Sequence, residues 1–102
     1  MKIVVVCAGG YSSSIVMNRL VKWGEAHGEE VDCKAVGAAA MEGYPDPYDC
    51  VLVAPQVGYQ INTLREYTTK PVLAISAMDY AIANADSIMQ QVVNALQEKG
   101  EN

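Results

Sequence analysis

Residues 2–20 read KIVVVCAGGYSSSIVMNRL, and the fold follows from how that stretch changes character along its length. Ile3 to Val6 is an unbroken run of β-branched side chains, the pattern of a strand covered on both faces. Cys7, two glycines and three serines then pass by with little bulk, broken only by Tyr11. Beyond them Val16, Leu20, Trp23 and His27 fall on one face of a helix that Ser12 or Ser13 can cap and Gly28 ends. A buried strand feeding a helix through a tight loop is the first half of a β-α-β unit.

The rest of the chain repeats the alternation. Glu30 to Val36 alternates apolar and charged residues, with Val31, Cys33 and Ala35 on one face and Asp32 and Lys34 on the other, which suits the edge of a sheet. Ala38 to Met41 is a short helical stretch ended by Gly43 and the turn-rich Tyr44 to Tyr48. Cys50 to Ala54 reads as a second buried strand, broken by Pro55, after which Val57, Ile61, Leu64 and Tyr67 make a helical stripe. Pro71 to Ile75 supplies a fourth strand, and Ile88, Met89, Val92, Val93 and Leu96 mark an amphipathic last helix from Asp86. We expect a single three-layer α/β domain over residues 1–102, with a four-stranded parallel sheet in order 2-1-3-4 and helices on both faces.

In such a sheet the ligand crevice opens beyond the carboxyl ends of the strands, at the switch in strand order. Cys7, the segment Pro55 to Tyr59 and the segment Ser76 to Tyr80 should therefore share one edge.

Composition narrows the choice of partner. The net charge is −5, and the seven Lys and Arg residues are scattered, whereas nucleic acid is gripped by clustered cations. No stretch approaches the roughly 20 apolar residues of a membrane span, and the N-terminal apolar run is too short for a signal peptide, so a cytoplasmic chain is expected. Cys7, Cys33 and Cys50 are odd in number and widely spaced, with only His27 beside them, which argues for free thiols rather than disulfides or a zinc site.

Ala8 to Ser14 has the makings of an anion cradle. Gly9 and Gly10 allow several backbone N–H groups to turn toward one point, while Ser12, Ser13 and Ser14 add hydroxyl donors where a helix begins. The same field favours negative charge on Cys7, and a thiolate in a phosphate cradle is a phosphoryl acceptor. Standing alone, a cysteine at the end of a buried strand is more often a small core side chain.

The stretch Cys7-Ala8-Gly9-Gly10-Tyr11-Ser12-Ser13-Ser14 resembles the phosphocysteine loop of the enzyme IIB component in the lactose/cellobiose (N,N'-diacetylchitobiose) branch of the bacterial sugar phosphotransferase system. The likeness continues through Val51 to Tyr59, an apolar strand followed by Pro-Gln and a Tyr, and through Lys70-Pro71-Val72 to Tyr80, covering almost the whole chain. It implies a flavodoxin-like fold in which Cys7 takes a phosphoryl group from a phosphohistidine of a IIA protein. Cys7 would then pass the group to a disaccharide held by the membrane component IIC, with no cofactor and no metal. The chain would be a phosphotransferase subunit, recruited to the inner face of the membrane through IIC, with Gln56, Tyr59 and Tyr80 bordering the loop or touching partners. Ser76 and Tyr80-Ala81 depart from the family pattern, which often has an Asp after the fourth strand and a Tyr-Gly pair further on.

Two other readings fit a cysteine loop after a first strand. A small tyrosine phosphatase or arsenate reductase needs an Arg six residues past the cysteine and an acid on another loop, but position 13 is Ser and Asp79 is the only plausible acid beyond the fourth strand. A non-catalytic module binding a phosphorylated ligand on the same loop would have no need of Cys7.

Overall fold

A computed structural model describes residues 1–8 and 14–100, the side chains of 99 and 100 apart. Four strands, β1 (Lys2–Val6), β2 (Asp32–Val36), β3 (Cys50–Val53) and β4 (Val72–Ala74), form one parallel sheet in the order β2-β1-β3-β4. The register aligns Val4 with Lys34 on one side and Val51 on the other, and Val51 in turn with Val72.

Strand position follows side-chain character. All four residues of β3 and four of five in β1 are buried, as their unbroken Val, Ile and Leu content requires of central strands. The charged and half-buried β2 lies at the edge, where Asp32 and Lys34 face water and discourage pairing with another chain.

Two apolar clusters sandwich the sheet. On one face Ile3, Val5 and Leu52 meet Val16 and Leu20 of α1 (Ser14–Ala26) and Ile88, Met89 and Val92 of α4 (Ala85–Gly100). On the other, Val4, Val6, Val51 and Val53 meet Met41 from a short 3₁₀ turn (Ala38–Met41), Val57, and Leu64 of α2 (Ile61–Glu66). Each fully buried aliphatic side chain contributes about 1.5–3 kcal/mol relative to exposure. A layer on each face therefore holds the sheet between helices.

Three elements differ from the sequence expectation. The fully buried stripe of α1 is Val16, Leu20 and Gly24, with Trp23 half-buried against the same cluster and His27 exposed. A side-chain atom built on Gly24 would lie 2.6 Å from both the Glu29 carbonyl oxygen and Val31 Cγ2, so the helix meets the chain leading into β2 where it has no side chain. Trp23 is displaced to the flank, where it stacks on the exposed ring of His27 with centroids 4.0 Å apart.

The second difference follows Pro55, where residues 55–60 form a 3₁₀ segment kinked at Val57 (φ −119°, ψ 18°), so α2 begins only at Ile61. The third is an extra helix, α3 (Ala77–Ile82), between the fourth strand and the last helix, where the sequence pattern predicts none. Ser76 caps it by accepting a hydrogen bond from the Asp79 N–H at 3.1 Å, and Ala83 closes it in the left-handed region at φ 51°.

Candidate functional site

The ladder continues past the strand ends and so fixes where Cys7 stands. Cys7 N–H donates to the Val36 carbonyl at 3.0 Å, Ala54 N–H to Val6 at 2.9 Å, and Ile75 N–H to Val53 at 2.9 Å. The carboxyl ends of β1, β3 and β4 thus share one edge, with Cys7 between β2 and β3 at the switch in strand order.

An open depression lies over this point. Its lining includes Cys7 and Ala8 from the end of β1, Ala38 from the 3₁₀ turn after β2, and Val57, Tyr59 and Gln60 from the segment after β3. Tyr59 is 82% exposed, and its hydroxyl oxygen accepts a hydrogen bond from Gln60 Nε2 at 2.9 Å. No Lys, Arg or His is among the described residues that line the depression. A phosphoryl dianion seated there would therefore depend on main-chain N–H groups and hydroxyls rather than on a cationic side chain.

The Cys7 side chain itself is only 1% exposed and belongs to the cluster containing Val6, Ala54 and Val57. The residue thus reaches the edge with its side chain buried against that cluster. Gly9, Gly10, Tyr11, Ser12 and Ser13, the heart of the expected cradle, lie outside the described residues. Of its flanks, Ala8 and Ser14 are exposed, and Ser14 is the first residue of α1.

The remaining candidates separate. Gln56 is exposed on the same 3₁₀ segment as Tyr59 but does not line the depression. Tyr80 is half-buried on α3, where it packs against both apolar clusters. Sequence reasoning passed over Gly37, Ala38 and Ala39, which border the depression because β2 neighbours β1 in the sheet and its exit brings them beside Cys7. The order 2-1-3-4 carried that information.

The other thiols differ from Cys7 in setting. Burial, reinforced by the neighbouring Asp32 carboxylate, pushes Cys33 up to about 11. Burial and Asp49 push Cys50 up to about 12, against a smaller lowering contribution from the Val51 backbone. Asp79 is tied to Ser87, whose hydroxyl donates to its Oδ2 at 2.8 Å. Among the described residues no group of three or more His, Cys, Asp or Glu side chains could hold a metal ion. None of the described helices is long and apolar enough to cross a membrane.

Comparisons with known proteins agree with this arrangement. The cellobiose-specific phosphotransferase IIB component from Borrelia burgdorferi superposes with a TM-score of 0.77 at 28% identity, over 97% of this chain and 94% of that one. The lactose-specific IIB domain from Streptococcus pneumoniae gives 0.76 over 93% and 96%, and at 21% identity it speaks for the fold.

Among curated proteins, the oligo-beta-mannoside-specific EIIB component of Bacillus subtilis is 24% identical over 98 residues, 93% of this chain and 95% of that one. The lactose-specific EIICB component of Streptococcus mutans is 34% identical over 68 residues, which make up 67% of this chain but 12% of that longer protein. The family model described as "PTS system, Lactose/Cellobiose specific IIB subunit" matches residues 2–91, so the chain belongs to that family of phosphotransferase-system IIB components.

Proposed function

We propose that this chain is a phosphocarrier in which Cys7 accepts a phosphoryl group from a phosphohistidine of a IIA protein and hands it to a sugar held by a membrane IIC protein. In the first step the Cys7 sulfur attacks phosphorus, the S–P bond forms, the N–P bond breaks, and the histidine nitrogen keeps the electron pair. In the second a sugar hydroxyl oxygen attacks, the O–P bond forms, the S–P bond breaks, the thiolate is regained, and the hydroxyl proton leaves to solvent. The N–H groups of the loop around Ala8 to Ser14 supply the charge stabilisation that the described lining lacks in cationic form.

One observation carries the reading: in a chain of the IIB family, Cys7 is the thiol at the carboxyl edge of the sheet, beside the switch in strand order. Cys33 and Cys50 stand within strands, with their ionisation disfavoured. That a relative bears a name joining IIC and IIB in one chain supports IIC as the acceptor-side partner, working at the inner face of the membrane. The sugar is of the disaccharide class named for the relatives, cellobiose and lactose among them.

Incubation with a phosphorylated IIA protein should add the mass of one phosphoryl group to the peptide containing Cys7. Cys7→Ser should abolish transfer to sugar while leaving the circular dichroism spectrum unchanged. Phosphate found on another residue, or transfer surviving in Cys7→Ser, would overturn the proposal, and steady hydrolysis of a phenyl phosphate would favour the phosphatase reading instead.

A further inference from the structure

Helices α1 and α3 both start at the carboxyl edge of the sheet and leave a groove of about 550 Å³ where α1 faces the turn between α3 and α4. Arg19, Lys22 and Trp23 of α1 form one wall, and Ile82, Ala83 and Asp86 the other. Three large apolar side chains lie unprotected in or beside it. Ile82 is 61% exposed, Met78 one turn before it on the same face of α3 is 74% exposed, and Ile15 one turn before Arg19 on α1 is 64% exposed. The groove's lining carries two cations, Arg19 and Lys22 on the α1 wall, against one carboxylate, Asp86, on the other, in a chain whose net charge is −5.

We propose that this groove is a docking site for an acidic segment of a partner protein, one that places aliphatic or aromatic side chains against Ile82 and Met78 and carboxylates against Arg19 and Lys22. The apolar contacts supply affinity and the cations supply orientation and encounter rate, since rim charges act mainly by steering. The lysine and arginine stems also extend the apolar wall while their heads stay in water. Local charge decides the partner. A basic partner would be drawn to the acidic remainder of the chain and repelled here, whereas an acidic partner finds its best-matched potential at Arg19 and Lys22. None of the residues lining the groove itself borders the depression over Cys7.

The test uses the full chain, labelled with ¹⁵N, and a synthetic amphipathic peptide carrying Leu on one helical face and Glu beside it. Addition of the peptide should shift the amide signals of Arg19, Lys22, Trp23, Ile82 and Ala83 and leave those of Ala38 and Gln60 in place. The double variant R19E/K22E should bind it about tenfold more weakly, I82S likewise, and raising the salt from 0.1 M to 1 M should weaken binding by screening. Both variants alter exposed positions, and circular dichroism confirms that they fold. The proposal is overturned if the peptide shifts nothing at these residues, or if a version with Lys in place of Glu binds as well. It is equally overturned if the same signals respond instead to vesicles of anionic lipid or to self-association at higher protein concentration.

Discussion

At the scale of single residues, three thiols stand in three settings. Cys33 and Cys50 stay protonated near neutral pH because burial and a neighbouring carboxylate disfavour their thiolates. The double variant C33A/C50V should therefore keep full phosphoryl acceptance from a IIA donor, measured as counts on Cys7, while C7S loses it. Cys7, 1% exposed, should react with iodoacetamide far more slowly in the folded chain than in urea. That Cys7 is the residue to watch was legible from its place between a β-branched run and a glycine-serine loop. Its burial was not, because the covering groups, Ala54 and Val57, come from a segment about fifty residues away in sequence. The place of Tyr80 was hidden for the same reason: packing between two clusters is a tertiary fact.

At the scale of elements, length and contact decide what a pattern can show. β1 and β3 announced themselves because central parallel strands need unbroken apolar runs. α3 did not, since six residues are too few for a helical period to emerge and its two large aliphatic residues, Met78 and Ile82, are exposed. Its signal was Ser76 three residues before Asp79, a capping pattern. S76A should lower stability by about 0.5–2 kcal/mol in urea denaturation. Helix α1 misled differently, because a close approach needs an absence of side chain, and hydrophobic periodicity counts only what is present. G24A should cost about 1–3 kcal/mol, since overpacking against Glu29 and Val31 outweighs the roughly 1 kcal/mol that Ala gains in helix propensity. G58A, with nothing within 4 Å of the new methyl, should cost well under 1 kcal/mol in the same assay.

At the scale of the whole molecule, ionisation and folding are linked through the buried thiols. Folding raises both pKa values above the ordinary 9.0, so above that pH the unfolded chain loses thiol protons that the folded chain retains. The stabilisation is complete below pH 9.0 and is lost as pH rises toward about 12. Thermal midpoints measured from pH 8 upward should fall through this window, and fall less steeply in C33A/C50V. The sheet also sorts its surfaces: the carboxyl edge carries Cys7, while the flank between α1 and α3 lies along the helices that descend from it. Trp23, the chain's sole tryptophan, sits in that flank with its indole against the His27 imidazole. Nine residues of helix put it about 14 Å below Ser14. The protein therefore contains its own fluorophore, positioned so that its emission should register a molecule settling beside it.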